Sequence, residues 1–415
     1  MKKKKYLLYG MGKTNTSVKS FFIENNIQFK EYIDGTNNYD LEDIDYVIKS
    51  PGISPHTKLL DECNSKGIPV INDLELFYLF YPKAKLIIIT GTNGKTSTSR
   101  MLSIVLSKKY KCYLGGNIGL PLFNLKSKNN FKNEFVIVEA SSFMLEHCYL
   151  VKPFIYVITN VFPHHLDYHQ TFENYLNAKT KLIKNIDING LLITPKEIDN
   201  SMYFGNKIII NDQTNKIKIE SNKITYNNEI INSYVNTSIV PYHQLLNMSV
   251  VSEIALFLNV PIERIRKGFE DCTCEKYRME LIYQNDSTLI INDAKSTNFN
   301  ASVAAINSVK DFTNNIHWIL GGHGNTNFSF EDVNSYISKY YLYGENANQL
   351  ENKIKLITSN CIKFDTLEDV IKNIINDQSN KVILYSPAAQ SYDQYNNFEE
   401  RGKHFNELIN KYWHN

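Results

Sequence analysis

The residues best suited to chemistry run from Gly91 to Ser97, as Gly-Thr-Asn-Gly-Lys-Thr-Ser. Gly91 and Gly94 let backbone N–H groups approach an anion with no Cβ in the way. Lys95 adds a point charge for β- and γ-phosphates, and the Thr96 hydroxyl is placed to ligate Mg2+. Such a loop binds phosphate only between a strand and a helix N-terminus, whose partial positive charge completes the cradle. Both are legible: Leu86, Ile87, Ile88 and Ile89 with Thr90 read as a buried strand, and Lys95-Thr-Ser-Thr opens a helix. The strict pattern wants a glycine where Ile89 stands, so context rather than the full signature separates this loop from an ordinary strand-to-helix turn with a surface lysine.

Other groups could join it. Glu139 closes the apolar run Phe135 to Val138, where a second acidic group would meet the metal of a phosphate loop; its bland alternative is a carboxylate at a helix start. His164, His165 and His169 crowd into six residues, and the last two have the i, i+4 spacing of helical zinc ligands. No H-E-x-x-H glutamate lies between them and Pro163 favours a loop, so Mg2+ or substrate contact competes with zinc. Lys179 and Lys181, on an amphipathic helix expected over 172–186, read as solvated charges. The six cysteines include one close pair, Cys272-Thr-Cys274, a spacing more often incidental than metal-binding, and reduced thiols are expected.

These groups need a scaffold. The 415 residues, 43% hydrophobic, can bury sizeable cores and permit two to four domains. Lys plus Arg at 45 against Asp plus Glu at 43 leaves +2, so no overall field recruits nucleic acid or an acidic membrane, and a polyanion must be bound locally. The opening Met-Lys-Lys-Lys-Lys imitates a signal peptide, but Gly10-Met11-Gly12 interrupts the apolar run, and nothing approaches the ~20 apolar residues of a membrane span. A cytoplasmic location without membrane insertion is expected.

Strands at 6–9, 29–33, 46–49 and 69–72 with helices at 17–25 and 57–66 make a small α/β unit ending near 81. Its turns Gly10-Met-Gly12-Lys13-Thr14-Asn15 and Ser50-Pro-Gly-Ile53 follow strands, where open α/β sheets bind ligands; Asn15 replaces the third glycine of a dinucleotide fingerprint. From 82, strands alternating with helices predict a parallel sheet, residues 189–236 an antiparallel appendage, and 243–258 and 261–269 helices. A third block opens near 275, with strands at 281–283, 288–292, 316–320 and 381–385 and helices at 301–309, 331–340 and 399–412. The expected class is α/β in three domains: 1–81 Rossmann-like, 82–275 a central P-loop ATPase-type parallel sheet, and 276–415 Rossmann-like.

Taken in order, Gly10-Met-Gly12-Lys-Thr14, Ser50 to Ile53, Asp73-Leu-Glu-Leu-Phe77, Thr90 to Thr96, Gly115-Gly-Asn-Ile-Gly119, Glu139-Ala-Ser-Ser142, His165-Leu-Asp167, Asp293-Ala-Lys295 and Ser386 to Gly402 resemble the Mur ligase family over essentially the whole chain. The last stretch is similar to the one that sets the D-glutamate-adding members apart from their sisters. The resemblance implies an ATP-dependent amide ligation that adds D-glutamate to UDP-N-acetylmuramoyl-L-alanine through an acylphosphate, by a monomer that binds no nucleic acid. It implies ATP contacts at Gly91, Thr92, Asn93, Gly94, Lys95, Thr96, Ser97, Asn117, Asn247, Arg278 and Asp293. Two Mg2+ ions would be held by Thr96, Glu139, His165 and Lys179, the last carbamylated, which reverses the solvated reading of that lysine. Gly12, Lys13, Thr14, Ser50, Asn117 and His165 would meet the UDP substrate, and Thr297, Ser391, Tyr392 and Phe398 the D-glutamate. Lys95, Lys179, His165 and Lys295 would act in catalysis. The chain departs from the family pattern at Asn325, where a lysine is usual, and at Met144, Gln244 and Tyr277.

Overall fold

The computed structural model of the protein describes residues 4–413 other than 36–37, 221–222, 232–241, 273–275, 286, 311–314, 378 and 380. Cys274, the end of the expected appendage at 232–236 and the expected boundary at 275 lie outside the described residues. Two compact units are present, one made of 1–233 with 244–272 and the other of 234–243 with 273–415.

The first unit opens with four parallel strands: β1 (Tyr6–Tyr9), β2 (Phe29–Tyr32), β3 (Tyr46–Lys49) and β4 (Val70–Ile71), in the order β2-β1-β3-β4. Alternation sorts their side chains. Leu7, Tyr9 and Val47 enter a small outer core, whereas Leu8 and Ile48 join a larger one with Phe22, Leu74, Leu86 and Val136. That shared core carries the sheet onto the next one. There β5 (Lys85–Thr90), β6 (Cys112–Gly116), β7 (Phe135–Glu139), β8 (Ile155–Ile158), β9 (Leu191–Thr194) and β10 (Asn206–Ile209) form a parallel sheet in the order β10-β9-β8-β5-β7-β6. β5 and β7 read as continuous apolar runs because helices cover both faces of such a sheet.

The expected antiparallel appendage is corrected in part. β9 and β10 extend the parallel sheet, and only β11 (Ile217–Glu220), β12 (Lys223–Tyr226) and β13 (Glu229–Ile230) pair antiparallel. Short polar-apolar strands with Asn-rich turns look alike in both settings, and the partner strand decides. The helix expected over 172–186 spans Phe172–Thr180, then a single 3₁₀ turn at Ile183–Asn185.

In the second unit β14 (Glu280–Gln284) pairs antiparallel with β15 (Thr288–Asn292), and β16 (Ile316–Leu320), β17 (Ile337–Leu342), β18 (Cys361–Lys363) and β19 (Lys381–Tyr385) complete a sheet ordered β14-β15-β19-β16-β17-β18. Neighbouring residues alternate between two cores: Ile291, Leu320, Leu342 and Leu384 on one face, Ile290, Ile319, Tyr341 and Ile383 on the other. The helix expected at 331–340 is corrected: one turn at Glu331–Asn334 gives way to β17, whose Ile-Ser-Lys-Tyr-Tyr-Leu suits a pleated, buried surface. Among the described residues Cys63, Cys112, Cys148, Cys272 and Cys361 are free thiols, and no helix is long and apolar enough to cross a membrane.

Candidate active site

β5 delivers the phosphate loop and the helix Lys95–Ser107 leaves it. Gly94 caps that helix at φ 82° with no side-chain hydrogen bond to the first turn. The first N–H groups of a helix have no carbonyl one turn back, so this end is open to an anion. Both loop glycines are sterically required: a Cβ on Gly91 would stand 2.0 Å from Thr159 Oγ1, and one on Gly94 2.6 Å from Asn247 Oδ1. The loop is bound to the end of β8. Thr92 N–H donates to Asn160 O at 2.9 Å, Asn93 N–H to Asn160 Oδ1 at 2.8 Å, and Thr159 Oγ1 to Asn93 O at 2.6 Å. Thr96 and Ser97 occupy the helix's first turn.

Two lysines converge on one loop carbonyl. Lys95 Nζ donates to Gly91 O at 2.9 Å and Thr92 O at 2.8 Å. Lys179 Nζ donates to the same Gly91 O at 2.9 Å and to Thr90 Oγ1 at 3.1 Å, and lies 4.8 Å from the Tyr175 ring centroid. Lys179, 1% exposed, is not the solvated charge that its helix position suggested. Burial first, and the Lys95 charge second, draw its amine down to about 7. Burial also lowers Lys95, opposed by the Glu139 carboxylate.

Glu139 ends β7 with its carboxylate buried. Oε1 accepts from Asn117 Nδ2 at 3.2 Å, while Oε2 has no hydrogen-bond partner among the described residues. That carboxylate ends the strand next to the one that delivers the phosphate loop and acts on the Lys95 charge; a buried oxygen left so is the kind of donor a cation could complete. The exposed His165 sits at φ 54° as the cap of the short helix Leu166–His169, its ring 3.9 Å from His164 and 4.9 Å from Phe143. Burial and then the His164 charge lower its pKa. His169 does not join it. Its Nε2 lies 2.9 Å from Ser142 Oγ and its ring stacks on Phe143. Among the described residues no group of three His, Cys, Asp or Glu gathers as a metal cluster, so a paired-histidine zinc site does not form.

At the end of β1, Gly12 caps the helix Lys13–Glu24 with no side-chain hydrogen bond. The buried Ser50 Oγ lies 3.3 Å from where a Gly12 Cβ would stand, so Gly12, Lys13, Thr14 and Ser50 line one helix N-terminus. Asn15 explains its place: its side-chain amide donates to Tyr9 O, Gly10 O and Ile48 O at 3.1, 2.8 and 2.9 Å, joining the ends of β1 and β3. Asn247 is buried on the helix Tyr242–Phe257 against Gly94.

In the second unit, Asp293 is buried. Oδ2 accepts from Ser296 Oγ and from Ser386 Oγ at 2.8 Å, and Oδ1 from Met279 N–H at 3.2 Å; burial raises its carboxyl to about 6, opposed by those bonds and by Arg278. Lys295 Nζ lies 3.7 Å from the Phe398 ring centroid, with Ser391 buried and Tyr392 exposed. Arg401, which the sequence reading passed over inside its own quoted stretch, is fully buried. Its Nη2 donates to Ala294 O and Ala389 O at 2.9 Å each, tying the loops that carry Lys295, Thr297 and Ser391. His323 Nδ1 meets Glu345 Oε2 at 2.7 Å, which raises its pKa, and its backbone pairs with Gln390.

With this geometry in hand, similarity is informative. Residues 89–261 match the Mur ligase middle domain and residues 277–389 the Mur ligase glutamate ligase domain. The UDP-N-acetylmuramoylalanine–D-glutamate ligase of Natranaerobius thermophilus is 30% identical over 396 residues, covering 89% of this chain and 84% of its own. The protein of that name from Buchnera aphidicola is 31% identical over 458 residues, covering 99% and 98%. In fold, the chain is similar to MurF ligase of Thermotoga maritima, solved in complex with ADP, at a TM-score of 0.62 and 14% identity, over 99% of this chain and 98% of that one.

Proposed function

The chain belongs to the Mur ligase family, and from that premise we propose that it is the ATP-dependent ligase joining D-glutamate to the terminal carboxylate of UDP-N-acetylmuramoyl-L-alanine, in cytoplasmic peptidoglycan precursor synthesis. The amino acid and the acceptor are supported by the names of relatives that match nearly end to end. The observation that carries the chemistry is Glu139 Oε2, without a hydrogen-bond partner among the described residues, at the end of the strand beside the one that delivers the glycine-capped helix, with two lysines converging on Gly91 O. The roles assigned to 1–81, 82–275 and 276–415 are nucleotide-sugar binding, ATP binding and amino-acid binding.

In this reading the acceptor carboxylate attacks the γ-phosphorus of ATP, a P–O bond forms as ADP leaves, and the D-glutamate nitrogen then attacks the acyl carbon. The nitrogen loses a proton and phosphate departs from the tetrahedral intermediate. Positioning and charge neutralisation are what such transfers demand of a protein. Gly94, Lys95, Thr96 and Ser97 bind the phosphates at the helix end, and Lys95 leaves the loop carbonyls to do so. Thr96, Glu139, His165 and carbamylated Lys179 would hold Mg2+, which supplies positive charge to the crowded phosphate oxygens. Asn117 orients Glu139, and Asn247, Arg278 and Asp293 serve the rest of the nucleotide. Gly12, Lys13, Thr14 and Ser50 take the diphosphate, with Asn117 and His165 toward the acyl end. Thr297, Ser391, Tyr392 and Phe398 hold D-glutamate, and Lys295 balances charge during transfer.

The test is phosphate release from ATP, Mg2+ and UDP-N-acetylmuramoyl-L-alanine with D-glutamate, compared with L-glutamate, L-lysine, meso-diaminopimelate and glycine. Turnover with D-glutamate alone is expected, in a monomeric enzyme. Turnover with a different amine would move the protein to another Mur-type ligase specificity.

A further inference from the structure

The short helix after His165 is a strained device. Two non-glycine residues bracket it at positive φ, His165 at 54° and Gln170 at 65°. Such conformations persist only where surrounding contacts hold them. Four contacts do so. His169 meets Ser142 at 2.9 Å, Gln170 Nε2 lies 2.9 Å from His56 Nε2, and Tyr168 OH donates to Glu146 Oε2 at 2.8 Å while accepting from Lys49 Nζ at 3.3 Å. Lys49 and His56 both belong to the first sheet's side of the unit, flanking the Ser50-Pro-Gly turn.

Lys49 is the unusual member. It ends β3, is 1% exposed, and its ammonium has the Tyr168 hydroxyl and ring face as its partners, with no carboxylate in ion-pair contact among the described residues. Glu146 acts on it only through the tyrosine hydroxyl and the field; burial outweighs that field and draws the amine down to about 8. The neighbouring charges are accounted for: His147 is held neutral by burial and by the charge on Lys49, and Lys181 Nζ donates to Glu146 O at 2.5 Å. A buried ammonium with so little compensation costs the fold stability.

We propose that Lys49 is a positioning residue, its ammonium bracing Tyr168 against Glu146 so that the turn carrying His165 is fixed relative to the nucleotide-sugar loop at Ser50. The proposal rests on the reading that His165 faces the acyl end of the acceptor. It assigns work to a lysine that touches neither ATP nor the amino acid. A neutral stem cannot brace the hydroxyl, and a phenylalanine has none to brace.

Steady-state kinetics of Lys49→Met, Tyr168→Phe and the double variant test it. Each single change is expected to lower kcat about tenfold, because small misplacements of a reacting group are costly. The KM for ATP should stay within about twofold, since the phosphate loop is untouched. The double variant should be no worse than the weaker single one, as for two parts of one brace, and Lys49→Arg should recover most of the rate. Tyr168→Phe keeps the ring packing, so it reports even if Lys49→Met folds poorly. Losses that multiply in the double variant, or singles with wild-type kcat, overturn the brace. The assay is run with whichever amine the wild type accepts, so a D-glutamate failure corrects the function without touching this result. A wild type with no ligase turnover overturns both.

Discussion

Lys179 concentrates the chemistry of the phosphate loop into one titration. Two ammonium groups share the Gly91 carbonyl, and the more deeply buried one yields its proton first, at about 7. Carbamylation needs the neutral amine: its nitrogen bonds to CO2, a proton leaves, and a cation that repels Mg2+ becomes an anion that can hold it. Above pH 7 the neutral form dominates and below it the ammonium does, so loading of the proposed carbamate is expected to rise with pH through that value. Enzyme stripped of CO2 and then equilibrated with bicarbonate at pH 8 should turn over several-fold faster than enzyme treated alike at pH 6, both assayed at one pH. Lys179→Arg should be inactive under either treatment. Initial rates indifferent to bicarbonate in the wild type would sink the carbamate.

Single elements owe their placement to residues that seem ordinary in sequence. Glu75, in the first turn of the helix Asp73–Phe80 and 1% exposed, accepts from three consecutive N–H groups, those of Tyr149, Leu150 and Val151, at 2.9, 2.7 and 3.2 Å. Asn72 caps that helix through Glu75 N–H and donates to Met144 O, so one turn docks the first sheet's last helix on the loop after Glu146. Glu75→Ala would strand the buried Val151 N–H and two half-buried donors, those of Tyr149 and Leu150, and should cost about 3 kcal/mol; Glu75→Gln, which keeps one carbonyl, about half as much. Urea unfolding measures this as a lower midpoint at unchanged slope. The stretch Asp73 to Phe77 was legible as a signature, but its purpose was not, because its partners lie more than seventy residues away. Local signals did settle other elements. The apolar run before Gly91 and the proline before His164 each read correctly, whereas β17 and β9 were misread because a short apolar stretch takes its structure from the strand beside it.

At the scale of the whole chain, the sequence reading grasped the α/β class and the loops that follow strands, since glycine turns and strand ends are local facts. It could not see that Asn247 would stand over Gly94, or that Arg401 would tie two loops, because both depend on packing between distant segments. Contacts gather residues 1–233 and 244–272 into one compact unit around a core shared by two sheets. The other unit has its own cores on both faces of its sheet. Units with separate cores unfold as separate cooperative steps. Calorimetry should therefore show two transitions, and Glu75→Ala should lower only one, by roughly 6–12 °C for about 3 kcal/mol in a unit of this size. A non-hydrolysable ATP analogue with Mg2+ should raise at least that same transition, because its phosphates bind the loop of the folded first unit. One transition that Glu75→Ala shifts as a whole would show instead that the two units melt together, and the shared core of the first would then be only part of a larger cooperative structure.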